Sequence, residues 1–349
     1  MQPFKFKHNR VRRSYLGGSG IDRIRQASSQ IDDQYPEEWI ASSIAAFARP
    51  GEPVNAGISV IDDGSEQRFS ELLKLHTEEL LGSEHIKRFG HETGFLMKLL
   101  DSAIRLPVQA HPDKKTAVKL FGSSYGKNDA WLVLDARPID GEEPHLLIGF
   151  NDKLDKELFI RESISGSLEH GLDMLHKVAV KPGDVFMIPG GLPHAIGPGL
   201  TVIEIMEPSD WIVVSEHRCG NIFIDHGRRF NGLKPELAMS MYDFTSVPID
   251  ELKRNCCIKP IQVDCCLSRL IDRNEQRYFG LEHLNLSGNW TLPNHEKCCR
   301  AGIVAKGNAV VDSKLKLNSG DAFFLPATSH NVVFTGDAVI IMALPPIGS

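Results

Sequence analysis

Apolar and polar positions follow two different periods along this chain of 349 residues. In RFSELLKLHTEELLG, residues 68–82, the apolar Phe69, Leu72, Leu73, Leu75, Leu80 and Leu81 gather on one side of a helix, and Gly82 stands where its C-cap belongs. The spacing predicts a helix over 68–82, continuing weakly from His85 to Phe89. Helical patterns also lie in 114–122, in 153–176 and in 234–244, the last entered through Pro235 near its first turn. Elsewhere the apolar runs are short and bounded by turn residues, as strands are. Phe95 to Leu100 is one, set between Gly94 and Asp101; others fall at 105–111, 130–135, 145–150, 177–180, 184–188 and 200–206, and strands dominate again beyond 255. Short strands at close intervals with Gly and Pro between them predict a β-sandwich or barrel of jelly-roll type.

One motif occurs twice. Gly183-Asp184-Val185-Phe186-Met187-Ile188-Pro189 is followed by His194, and Gly320-Asp321-Ala322-Phe323-Phe324-Leu325-Pro326 by His330. In each, Gly-Asp makes a tight turn, alternate apolar residues enter a core, and Pro ends the strand pairing. Copies at the ends of two strand-rich regions predict two β-barrel domains of one kind.

Composition narrows the function classes. The net charge of −6 excludes the broad basic surface of a general nucleic-acid binder. No apolar run reaches the roughly 18 residues of a membrane-spanning helix. The opening MQPFKFKHNRVRRSY is basic with no apolar segment behind it, so no secretory signal and a cytoplasmic location are expected. Six of the seven cysteines form the doublets Cys256/Cys257, Cys265/Cys266 and Cys298/Cys299, without the C-x2-C spacing of a zinc knuckle. They read as reduced, structural thiols.

Candidate chemistry concentrates before residue 210. In Val108-Gln109-Ala110-His111-Pro112-Asp113, a strand puts Gln109 and His111 on the same face. Polar groups sent into an apolar barrel need partners, and a metal ion is one such partner. Asp129 opens the next strand in Gly126-Lys127-Asn128-Asp129-Ala130-Trp131, and His194 follows the first Gly-Asp hairpin. A lone histidine is more often a satisfied core or surface residue than a ligand. One Gln, two His and one carboxylate in this order form a mixed nitrogen and oxygen set suited to zinc or another divalent first-row ion. His330 has no Gln-x-His strand before it, and His295 with Cys298/Cys299 lacks the spacing of the common thiolate sites, so the second unit reads as structural.

The order V-Q-A-H-P-D, then G-K-x-(acid)-x-W, then G-D-x-F-x-(I/V)-P-x-G-x-x-H-A-I-G resembles the type I mannose-6-phosphate isomerases, particularly the shorter bacterial form. Trp39 with Glu38 is similar to that family's G-E-x-W region, and Phe95-Leu96-Met97-Lys98 to its F-L-x-K strand. The likeness is good from about residue 35 to 210 and looser beyond. It implies a mainly β fold of two cupin-type jelly-roll barrels with a helical segment inserted. The expected division is 1–215 for a catalytic barrel with N-terminal helices, 216–254 for a helical connector and 255–349 for a C-terminal cupin-like domain.

The same resemblance implies zinc, or another divalent first-row metal, on Gln109, His111, Asp129 and His194. It implies a small sugar phosphate as partner, with neither nucleic acid nor membrane, and interconversion of mannose 6-phosphate with fructose 6-phosphate through an enediol. Lys127 and Lys98 would stabilise negative charge, and Glu204 or His111 would serve the proton relay. Three positions depart from the family: Asp129 replaces its Glu ligand, Pro107 a Ser before Gln-x-His, and Val214 an Arg five residues after the Ser of Ser209-Asp210. Arg218, four residues on, is the candidate to fill that last space. The departures keep two alternatives open: an isomerase-like cupin acting on another sugar or sugar phosphate, and a non-catalytic sugar-binding or regulatory protein that kept the metal.

Overall fold

A computed structural model describes residues 1–46, 53–293 and 297–347. The chain is mainly β, and its strands form several sheets, none closed on itself by strand pairing among the described residues. His295 lies outside the described residues.

A six-stranded antiparallel sheet stands at the centre. Its order is Arg10–Val11, Glu37–Ile40, Leu96–Ser102, Leu200–Met206, Asp129–Ala136 and Val185–Ile188. Its inner strands are largely apolar because both faces are covered. On one face Leu100, Trp131, Val133, Phe186 and Val202 join Leu146, Ile148, Val178, Ile196 and Val214 in one core. Those partners come from a five-stranded sheet ordered Val213–Val214, Gln109–Ala110, His194–Ile196, His145–Phe150 and Leu175–Ala179. On the other face Met97, Leu99, Leu132, Ile203 and Ile205 pack with Leu281, Ile303, Phe324 and Ile341. That second core belongs to the eight-stranded C-terminal sheet.

The expected 1–215 unit lends a strand to this last sheet, for Phe4–Lys5 pairs antiparallel with Ala322–Leu325. The repeated hairpins are superposable in their bonding. Gly183 and Gly320 take φ of 93° and 87°, left-handed values that favour glycine. Asp184 Oδ2 accepts from the Lys181 amide at 2.9 Å, and Asp321 Oδ2 from the Asn318 amide at 2.9 Å. The Gly183 amide donates to the Val133 carbonyl at 2.8 Å and the Gly320 amide to the Val304 carbonyl at 2.7 Å.

The local predictions need three corrections. The helix expected over 68–82 is two helices, Phe69–Leu75 and Thr77–Leu81, broken at His76 (φ −130°, ψ 37°). The break buries Leu80 and Leu81 in the same core as Phe69, Leu72 and Leu73, and leaves Leu75 exposed. The strand expected over 105–111 shrinks to Gln109–Ala110, since Pro107 and Pro112 offer no amide to a ladder. The helix expected over 234–244 is one α turn, Pro235–Ala238, followed by a 3₁₀ turn at Met239–Met241. A helix at Ile249–Cys256 went unpredicted.

Candidate metal centre

His194 and Gln109 are register partners on adjacent strands of the five-stranded sheet. Asp129 begins a strand of the central sheet, opposite Ile188 and Met206. The site therefore forms where two sheets face each other, and the chain brings its distant segments together by strand register. The approach is close: a Cβ added at Gly190 would lie 2.6 Å from the Asp113 backbone, so the His194 loop and the His111-Pro112-Asp113 turn need glycine there. Asn128 ties the same parts from the side. Its amide and Nδ2 donate to Glu207 at 3.1 and 2.6 Å, and its Oδ1 accepts from the Gly190 amide at 3.1 Å.

His111, Asp129 and His194 are fully buried, and their potential ligand atoms all lie within 4.8 Å of one another. His111 Nδ1 bonds the Trp211 carbonyl and His194 Nδ1 the Leu192 carbonyl, both at 2.9 Å. Each ring thus holds its proton on Nδ1 and turns Nε2, with its lone pair, toward the shared space. The Gln109 amide sits 3.4 Å from His194 Nε2. Asp129 Oδ2 lies 3.2 Å from His111 Nε2, while Oδ1 is buried with no hydrogen-bond partner. The shorter acid therefore reaches the cluster.

Burial, then the nearby His111 ring, pushes His194 down to about 3. Burial and the Lys127 ammonium likewise lower His111. For Asp129, burial is overcome chiefly by the Lys127 ammonium, which holds the carboxyl well below its ordinary range. Two neutral imidazoles and an ionised carboxylate with an orphaned oxygen form a donor set for a divalent cation. These atoms already draw a cation: Lys127 Nζ lies 2.7 Å from His111 Nε2 and 3.4 Å from Asp129 Oδ2. The residues present fit a zinc-type ion.

Gln109 and Lys127, which touch the cluster, also line a cleft of about 550 Å³, with Lys98, Glu204 and Val214 among its other walls. Lys98 Nζ bonds Glu204 Oε2 at 2.7 Å, and Trp131 Nε1 donates to Glu204 Oε1 at 3.2 Å. Strand alternation corrects the reading at Glu38. Glu37, not Glu38, shares the cleft face with Trp39 and Lys98; Glu38 turns away and pairs with Arg25. Glu37 accepts from Arg13 at 2.7 Å, Tyr15 at 2.7 Å and Trp39 at 2.8 Å, and stands 3.9 Å from Lys98.

Arg218 needs a correction as well. It is exposed on a two-stranded hairpin with Phe223 opposite, and it does not line the cleft. That hairpin buries Cys219, so its neighbour Arg218 points outward. Arg13 and Arg228 line the cleft instead. No motif marks them: Arg13 lies in the basic opening stretch, and Arg228 in the segment expected to be a connector. Pro107 and Val214 are on the wall, as apolar surface.

The twin unit shows what the same scaffold holds without a metal set. Arg300 faces Leu325 as Asp129 faces Ile188, and Glu282 faces Met342 as Lys98 faces Glu204. Arg300 and Glu282 are buried and joined at 2.9 Å, and His330 is exposed. Arginine at the position of Asp129 fits the reading of this unit as structural.

Residues 55–129 match the type I phosphomannose isomerase catalytic domain, a span that includes Lys98, Gln109, His111, Lys127 and Asp129. The chain is 32% identical over 277 residues to the mannose-6-phosphate isomerase ManA of Bacillus subtilis, covering 77% of this chain and 80% of that protein. The chain belongs to the mannose-6-phosphate isomerase family. As a family member it also shares the fold of the solved Bacillus subtilis mannose 6-phosphate isomerase, with a TM-score of 0.73 at 20% identity over 98% of this chain and 99% of that one. A mannose 6-phosphate isomerase solved with zinc and yttrium bound aligns at a TM-score of 0.72 and 15% identity, over 99% of this chain and all of that one. No helix among the described residues is long and apolar enough to cross a membrane.

The Glu37 cluster predicts a pH dependence for this isomerase-family chain. Burial pushes the Glu37 carboxyl up, but Arg13, Lys98 and the hydrogen bonds from Trp39 and Tyr15 bring it down to about 2, against 4.5 for a free glutamate. A depressed acid stabilises the fold fully above its unfolded value and loses that contribution as pH falls through its folded value. The unfolding free energy of the native protein should therefore exceed that of Glu37→Gln most at neutral pH, the gap closing as pH falls from 4.5 toward 2. Urea unfolding of both proteins across this range checks it, and a gap independent of pH would refute it.

Proposed function

We propose that this protein interconverts mannose 6-phosphate and fructose 6-phosphate, with a divalent cation, zinc foremost, held by Gln109, His111, Asp129 and His194. The observation that carries the reading is the pair of buried imidazoles, each fixed at Nδ1 by a backbone carbonyl, with a carboxylate oxygen of Asp129 within 4.8 Å of their ligand atoms, beside the Gln109 and Lys127 that line the cleft. A cation bound there supplies a Lewis acid that polarises the sugar's carbonyl and neighbouring hydroxyl oxygens.

The remaining work falls to the chain. Aldose–ketose exchange moves a proton between C2 and C1, so one base must take it and return it. His111 is committed at both ring nitrogens, Nδ1 to Trp211 and Nε2 to the ligand cluster. Glu204 lines the cleft, its Oε2 2.7 Å from Lys98 Nζ. We assign Glu204 the proton transfer and Lys127 the stabilisation of negative charge on the sugar oxygens. The same reading takes the two β units, 1–215 and 255–349, as cupin-type barrels joined through 216–254, an assignment the twin hairpins support.

The test combines metal analysis of the purified protein with a coupled assay for fructose 6-phosphate. Stoichiometric zinc is expected, with turnover abolished by chelation and restored by zinc. A protein that takes up zinc and leaves mannose 6-phosphate unchanged would defeat the reading.

A further inference from the structure

A phosphate ester carries a net negative charge into the cleft, and it needs a cation whose charge is not already spent. Among the described residues, four cations line the wall: Arg13, Lys98, Lys127 and Arg228. Three have other work. Arg13 is bonded to Glu37 at 2.7 Å and Lys98 to Glu204 at 2.7 Å, while Lys127, in the ligand cluster 3.4 Å from Asp129, is assigned to the charge on the sugar oxygens. Carboxylates already satisfy Arg13 and Lys98 in surroundings where displacing them would strand an ion.

Arg228 differs. Its carboxylate neighbour is Asp225, at 3.5 Å from Nε, and both side chains reach solvent, at 35% and 61% exposure. Such an exposed pair is worth little and yields readily to a better anion. The backbone beneath it is nonetheless anchored. Arg229, buried, donates through Nε to the Val214 carbonyl at 3.2 Å and through Nη2 to the Ser215 carbonyl at 3.1 Å. Phe230 is fully buried, and Asn231 Nδ2 donates to the Ile212 carbonyl. These anchors hold the segment against the strand whose Val214 forms apolar cleft wall. An anchored backbone carrying a loosely paired guanidinium beside the apolar surface of Val214 is a preorganised anion anchor, and guanidinium suits phosphate through paired N–H donors.

We propose that Arg228 anchors the phosphate of the substrate and sets the preference for phosphorylated over free sugar. The inference rests on mannose 6-phosphate being the substrate. Its test uses the zinc-loaded full-length protein and the variants Arg228→Gln and Arg228→Lys. For Arg228→Gln the KM for mannose 6-phosphate should rise about 10- to 100-fold, the loss of one charge-assisted contact, with kcat changed by less than about threefold. Inhibition by inorganic phosphate should weaken by the same factor, and Arg228→Lys should recover part of both. Bound zinc and the thermal midpoint should match the parent, which separates anchoring from a structural role.

Unchanged KM and unchanged phosphate inhibition in Arg228→Gln overturn the proposal. A parent protein inert toward mannose 6-phosphate overturns the isomerase reading instead. Calorimetric titration of inorganic phosphate then still decides for Arg228: weaker binding to the variant supports it, and equal binding, or none to the parent, overturns it.

Discussion

Replacing His194 by alanine should leave a protein that folds but retains about a tenth or less of the parent's zinc after gel filtration, and that turns over mannose 6-phosphate about a thousandfold more slowly or worse. The size of the effect follows from the site's construction. Three donors converge within 4.8 Å in a buried space, and the Nε2 of His194 is one of them. Without it, the cation would be held by His111, Asp129 and Gln109 alone, with an added position open to water. Several kcal/mol of stabilisation of developing charge leave with the cation, and each step of about 1.4 kcal/mol is a tenfold loss of rate. Alanine also removes a ring packed edge-on to Trp131 at 5.4 Å, so the variant is expected to melt somewhat earlier. Asp129→Asn keeps the volume while removing the charge, and should lose zinc and activity alike. Stoichiometric zinc and near-parental turnover in both variants would remove these residues from the metal centre.

The proposed ligands are legible as candidates because each sits in a local frame that a single sequence exposes. Gln109 and His111 are two residues apart across a strand, Asp129 opens an apolar run, and His194 follows a Gly-Asp hairpin whose turn chemistry repeats at Gly320-Asp321. Period and turn residues carry that information. They do not carry which sheets face each other, and the walls of the cleft depend on that. Alternation alone puts Glu37 on the face of Trp39, but pairing with Leu96–Ser102 sets which face looks into the cleft. Arg228 was missed because its position comes from Arg229 bonding the backbone at Val214 and Ser215, a contact without a sequence signature. The failure at Arg218 has the same origin: proximity along the chain to Val214 says nothing about which side of a hairpin a residue takes. The central strands were the easiest elements to find. Burial on both faces makes them largely apolar, so Lys98 and Glu204 stand out against Leu and Ile.

Those two charges lead to the largest expected effect on stability. Lys98→Met should destabilise the fold by about 3–5 kcal/mol, the usual loss when one member of a buried ion pair is removed. Lys98 is buried and bonded to Glu204, stands 3.9 Å from Glu37, and lies 5.4 Å from the centre of the Trp39 ring. Burial lowers its pKa, but Glu204 and Glu37 more than offset this and leave it raised, so the cation is secure at neutral pH. Methionine fills most of the volume and leaves Glu204 buried with Trp131 as its remaining donor. Arg13, Tyr15 and Trp39 still hold Glu37, so the damage should centre on Glu204. A second change, Glu204→Gln, removes the stranded charge. The double variant should therefore be more stable than the sum of the two single losses by about 1–3 kcal/mol, as expected for groups in direct contact. Activity should not follow. Glu204 is assigned the proton transfer, so the double variant should recover stability and remain inactive. Urea unfolding of the four proteins, read beside turnover, separates the two roles: additive losses would deny the ion pair its energetic weight, and recovered turnover would deny Glu204 its place in the chemistry.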